Sequence, residues 1–241
     1  MDATARLAAY LEAHTEPVGK IVDFNPAADR LYHFNFTATN ADLDADTFSD
    51  TVNFDKWITQ KLSDNNCRYG IGGYMEHRTI YARSAHFDTD DEPRRLHLGV
   101  DIWSYAGTPV YSPLPGKVHS FQNNDNFGDY GPTIILEHNL KGLTLYSLYG
   151  HLSRASLEGL FIGKPINRDE QIATLGDMDE NGRWPPHLHF QLMFDMEGKQ
   201  GDYPGVCKFS EKDIYQKNVP DPRLILKLSE PGCVGFIGQQ D

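Results

Sequence analysis

Four short patterns hold the residues able to do chemistry. They are His97-Leu98-Gly99-Val100-Asp101, Tyr149-Gly150-His151-Leu152-Ser153, His187-Leu188-His189-Phe190, and the turn Asn181-Gly182-Arg183-Trp184-Pro185-Pro186 before the last. Four of the chain's 10 histidines fall in them. Along an extended strand, residues two or four apart share a face. His187 and His189 then point one way, and Leu188, Phe190, Leu192 and Phe194 the other. His97 and Asp101 share a face in the same manner, and Gly99 between them leaves room for an ion or a water. Two histidines and one aspartate fill three positions around Zn2+ and leave a fourth for water or substrate. Such a metal acidifies bound water and polarises a carbonyl, and further imidazoles move protons near neutral pH. The competing reading is of ordinary hydrogen-bonded histidines, which are often partly buried. Spacing alone does not name the substrate.

In order, HLGVD, LYGHLS and PPHLHFQL resemble the motifs of the lysostaphin-like, or LytM-type, zinc metallopeptidases. The resemblance spans about residues 94–195 and includes GTPVYSPLPGKV at 107–118 and a turn from Ile172 to Gly176. Over Gly72 to Pro204 the chain also looks like peptidase domains attached in some larger proteins to kinase-like and aminotransferase-like domains. The resemblance implies a small, mostly antiparallel β fold and a Zn2+ cofactor. It implies His97, Asp101 and His189 as metal ligands, with His151 and His187 as catalytic histidines. It implies cleavage of peptide bonds, with glycine- or D-amino-acid-containing peptides of peptidoglycan as the substrate class. The alternative is a non-catalytic, metal-supported peptide-binding or interaction domain, since a fold and its ligands do not fix a function.

Three more residues are candidates for the cleft. Tyr149 has the strand parity of His151, with a half-buried aromatic as the alternative. Trp184 stands in the Pro-rich approach to the last strand, where proline restrains the backbone. His138 ends a strand, and resembles a histidine found there in the family. His119 and His86 read as structural. No phosphate-cradling glycine motif and no nucleophile elbow is present.

The elements that must position these residues are mostly short strands. Pro109–Tyr111, Gly116–Phe121, Thr133–His138, Leu143–Tyr149 and the alternating run from Leu188 to Phe194 are separated by Gly and Pro, which argues an antiparallel β domain rather than a βαβ array. Helices are expected over 2–14, ended by Pro17, and over 54–64, where Phe54, Trp57, Ile58 and Leu62 make one apolar face. Lys20–Phe24 reads as a strand, and Cys67–Tyr74 with its three glycines as a turn or tight loop. A helical turn or two is expected over Ser153–Leu160. A helix after a Ser210/Asp213 cap, and a final strand or extended segment over Arg223–Leu228, complete the reading. The acidic run Asp88–Glu92 before Pro93 is the most loop-like stretch. The expected fold is mainly β with helical additions, α+β overall, around an antiparallel peptidase core. Its expected parts are an N-terminal extension over 1–93, the metallopeptidase domain over 94–200 and a C-terminal packing tail over 201–241.

A formal net charge of −12 makes nucleic acid and acidic membrane surfaces poor partners, because long-range repulsion opposes both. A peptide substrate fits, and no protein partner is indicated. Three cysteines, Cys67, Cys207 and Cys233, make no disulfide framework, which reads as a reduced, cytoplasmic protein. No apolar run nears the roughly 20 residues a membrane span needs, and the start does not read as a signal peptide. The alternative is export by a route not visible in the sequence, toward which the peptidoglycan resemblance points.

Overall fold

Two helices begin on aspartate caps. In a computed structural model of the chain, Asp2 accepts the Ala5 N–H ahead of α1 (Ala3–Ala13), and Asp50 accepts the Asn53 N–H ahead of α2 (Thr51–Asp64). In α2 Phe54, Ile58 and Leu62, each four residues on, form the buried stripe. The structure describes residues 2–14, 18–43, 47, 50–79, 92–226, 228 and 234–235. Pro17, His86, residues 88–91 of the acidic run and Cys233 lie outside the described residues.

The strands are β1 (Leu31–His33), β2 (Tyr69–Gly72), β3 (Leu96–His97), β4 (Val100–Trp103), β5 (Pro109–Tyr111), β6 (Gly116–Asn124) and β7 (Gly131–Leu140). They continue with β8 (Leu143–Gly150), β9 (Pro165–Ile166), β10 (Gln171–Thr174), β11 (His187–Met193), β12 (Val206–Cys207) and, after the helix α3 (Lys212–Asn218), β13 (Val234–Gly235). Nine of them form one sheet in the order β13-β1-β2-β4-β11-β8-β7-β6-β9. From β2 to β9 every neighbouring pair is antiparallel, while β1 runs parallel to both β2 and β13. The pairs β5·β10 and β3·β12 make two small antiparallel sheets. The chain is thus mainly β with a few helices, in a large mixed sheet.

The middle of the sheet is built by a meander. Lys141 (φ 51°) and Gly142 (φ 87°) join β7 to β8 as a two-residue turn with both central residues left-handed, the geometry that matches strand twist. All seven residues of β11 are buried. Leu188, Phe190 and Leu192 face the main core with Val100, Ile102 and Leu148. Burying each such side chain contributes roughly 1.5–3 kcal/mol. A second cluster is aromatic: Phe34, Phe36, Phe54, Trp103 and Trp184 pack with Ile58 and Leu62 of α2.

Several local expectations are corrected. Cys67–Tyr74 is not a loop, because it contains the fully buried strand β2. Its glycines serve packing: a Cβ on Gly70 would strike the Phe34 ring. Lys20–Phe24 is not a strand; isolated bonds from Gly19 N to Pro113 O (2.8 Å) and Tyr111 N to Ile21 O (2.9 Å) tie it down. The Ser210/Asp213 box does not form, since Ser210 Oγ donates to Glu92 and Glu211 accepts the Lys208 N–H. Within Arg223–Leu228, Pro222–Leu224 is a 3-10 turn, and residue 227 lies outside the described residues. Ser153–Leu160 holds the expected helical turn, as the 3-10 turn Arg154–Leu157. Cys67 and Cys207 are buried free thiols. Among the described residues no helix is long and apolar enough to cross a membrane.

Candidate active site

Register brings the separated patterns together. In β11, His189 pairs with Asp101 of β4 on one side and Gly150 of β8 on the other, and His187 pairs with Trp103. Directly opposed residues of antiparallel strands share a face. His187, His189, Asp101 and Trp103 therefore gather on one side of the sheet. His97 enters from β3, hydrogen-bonded through its own N–H to Glu76 O at 3.0 Å. A Cβ at Gly99 would come within 2.6 Å of His189 Cε1, so the glycine is what lets that ring approach.

Three donor atoms converge. His97 Nε2 lies 3.0 Å from His189 Nδ1, His189 Nδ1 lies 3.2 Å from Asp101 Oδ1, and His97 Nε2 lies 3.3 Å from the same oxygen. The other ring nitrogens are engaged. His97 Nδ1 donates to Gly73 O at 2.8 Å, and His189 Nε2 donates to Gln191 Oε1 at 3.1 Å. Gln191 is oriented for this by donating its amide to Pro204 O at 3.1 Å. Two imidazole lone pairs and a carboxylate oxygen thus face one another with no proton left between them. These three groups could hold a metal ion between them. The triangle they form matches a face of a tetrahedron with bonds of about 2.0–2.1 Å, whose edges are about 3.3 Å. Carbonyl and amide partners on the far nitrogens are the usual way a ligating histidine is oriented.

The remaining two histidines sit beside this triangle. His187 Nδ1 donates to Pro185 O at 2.8 Å, and its Nε2 is 4.0 Å from Asp101 Oδ1. His151 Nδ1 donates to Asn181 O at 2.8 Å, and the two rings are 4.2 Å apart. His151 has φ 61° and donates its N–H to Tyr130 O at 2.7 Å. That left-handed turn ends the β8 alternation and swings His151 to the cleft side.

Burial sets the electrostatics. It pushes His97 and His187 down to about 4 and His151 well below the ordinary histidine value, because the charged form loses its water. Burial works to raise Asp101, but the Arg78 guanidinium beside it pulls the carboxyl well below the usual range.

Trp184 lines the same cleft, 6.3 Å from both His151 and His187. Tyr149 and His138 do not line it. Tyr149 is opposite Phe190, so it points into the core, and parity with His151 fails because of the turn at His151. His138 is fully buried, with Nδ1 donating to Pro115 O at 2.9 Å and Nε2 2.7 Å from Ser147 Oγ. His119 bonds the neighbouring Ser120 Oγ and packs on Tyr146.

Four residues that matter here were not read from the sequence. Gln191 and Trp103 share parity with His189 and Asp101, a signal that was available. Tyr130, whose ring lies 5.0 Å from His189, and Arg78 carry no such pattern. Asn181 holds the turn before β11 by accepting the Trp184 N–H at 3.0 Å and donating to Gly176 O and Trp184 O.

The model of the family described as Peptidase family M23 matches residues 95–202. The chain is 28% identical over 146 residues to peptidoglycan DD-endopeptidase ShyA of Vibrio cholerae, covering 55% of this chain and 30% of ShyA. It is 27% identical over 194 residues to mouse sortilin, covering 70% of this chain and 22% of sortilin. The catalytic domain of the antimicrobial peptidase lysostaphin from Staphylococcus simulans matches with 24% identity and a TM-score of 0.36, over 51% of this chain and 80% of that one. The chain therefore spans less than a third of the length of either curated relative. His97, Asp101, His151, His187 and His189 all fall inside residues 95–202, the stretch that the model of Peptidase family M23 matches.

Proposed function

We propose that the chain is a zinc-dependent peptidase that hydrolyses a peptide bond in the cleft beside His97, Asp101 and His189. The observation that carries this is the convergence of three lone-pair donors within 3.0–3.3 Å, with their other polar atoms already partnered. Zn2+ held there supplies Lewis acidity, which polarises a carbonyl and makes water acidic near neutral pH. His151 and His187 do the proton work. With Nδ1–H engaged by Asn181 and Pro185 carbonyls, each neutral ring turns the lone pair of Nε2 into the cleft. There a ring takes a proton from water, and the ring so protonated delivers it to the departing amine. Trp184 and Tyr130 wall the cleft and help exclude bulk water.

The substrate class we propose is short peptides containing glycine or D-amino acids. The name of ShyA supports peptidoglycan as their source, and a small intracellular peptide remains the competing substrate. A cytoplasmic location finds no support in that relative. The deciding experiment incubates metal-loaded protein with muropeptides, oligoglycine and a diverse peptide library, and reads new amines by mass spectrometry. Cleavage that stops on chelation and returns with Zn2+ is the expected result. No cleavage across the panel, with zinc bound, moves the function to a non-catalytic peptide-binding domain.

A further inference from the structure

The segment between β2 and β3 lies outside the family-matched residues, yet it grips the metal ligands. Met75 N donates to His97 O at 2.7 Å, and Arg78 N donates to Arg95 O at 2.9 Å. Arg78 is 1% exposed. Its guanidinium lies over the Phe36 ring, 5.1 Å from the centroid. Its Nε donates to Glu76 Oε2 at 2.7 Å, and Glu76 Oε1 accepts the Phe36 N–H at 3.0 Å. Its Nη1 donates to Asp101 Oδ2.

Asp101 therefore has two oxygens with different tasks. Oδ1 belongs to the donor triangle, at 3.2 and 3.3 Å from the two imidazole nitrogens. Oδ2 is held by a cation that is itself fixed by Glu76 and Phe36. A carboxylate binds a metal through one oxygen or both, and binding through both fills the position that a catalytic site leaves open. Gly72 makes room for the restraint, since a Cβ there would stand 2.6 Å from Arg78 Nη2 and 3.3 Å from the Phe36 ring.

We propose that Arg78 is a positioning residue that confines Asp101 to one-oxygen metal binding and so keeps a coordination position open. The inference rests on the zinc reading above. It makes residues 72–78 part of the working site, although they precede the family-matched stretch.

The test is zinc-edge X-ray absorption of the full chain loaded with Zn2+ alone, joined to kcat on a cleaved peptide. Arg78→Met removes the restraint and its charge. Gly72→Ala keeps both charges and pushes the guanidinium off Asp101. Each is expected to bind zinc stoichiometrically, to show one more oxygen neighbour than wild type, and to lose roughly 10–100-fold in kcat. Arg78→Lys, which still donates to Oδ2, is expected to return the wild-type coordination. If Arg78→Met does not fold, Gly72→Ala carries the test. Wild-type coordination in every folded variant overturns the role of Arg78 alone. A wild-type protein that binds no zinc overturns this inference together with the zinc reading.

Discussion

The His187 ring lies flat against Trp103, with centroids 4.0 Å apart and planes 18° apart. Behind Trp103 stand Phe36 and Phe54 at 5.4 and 5.7 Å, so the aromatic cluster gathered by α2 backs this proposed proton-carrying ring. Trp103→Leu removes the flat support. A misplacement of about 1 Å at a reacting group costs roughly a hundredfold in rate, so kcat should fall by that order while zinc content holds. Trp103→Phe, which keeps a plane, should retain most of the turnover. Equal kcat in both variants and wild type would refute the coupling.

His151 depends on Asn181 in a different way. The Asn181 side chain fixes the turn whose backbone carbonyl receives His151 Nδ1. Asn181→Ala leaves the Trp184 N–H and two carbonyls without this partner, at a cost of about 1–3 kcal/mol. Asn181→Asp should cost more, because acceptor oxygens then face carbonyl oxygens in a fully buried place. Urea unfolding measures both, and an alanine variant as stable as wild type contradicts the assignment.

Zinc should stabilise the fold through the three converging donors. A ligand at 100 times its Kd adds about 2.7 kcal/mol to stability, seen as a higher Tm. His189→Ala should lose that gain, and His151→Ala and His187→Ala should keep much of it while losing turnover by roughly 100–10,000-fold. A zinc-induced rise in Tm that survives in His189→Ala would place the ion elsewhere.

His138 predicts an acid limb to stability. Burial holds its pKa down at about 4, against 6.5 for the free side chain. As pH falls through 6.5 the unfolded chain takes the proton first, so stability is full above 6.5 and is lost progressively down to about 4. The whole loss is about 3 kcal/mol. Urea unfolding of wild type and His138→Gln at pH 7.5 and 4.5 isolates it. The same pH slope in both proteins removes His138 as the cause.

Strand periodicity alone made much of the site legible. Side chains two apart must share a face, so the apolar alternation of Leu188, Phe190 and Leu192 already put His187 and His189 together on the other side. A strand that carries an Asp or a His cannot say which strand it pairs with, because register is a property of two segments and not of one. Only the assembled sheet set His189 against Asp101, with His97 beside them. Parity also fails where the backbone leaves the strand. The left-handed φ of His151 took it to the cleft and left Tyr149 in the core, a change no alternating pattern records. The N-terminal residues were the least readable. Gly70, Gly72 and Gly73 looked like a loop by composition, yet they form or border a buried strand whose missing Cβ atoms admit Phe34 and Arg78. Long-range packing decides such positions, since the groups that fill the space come from distant parts of the chain.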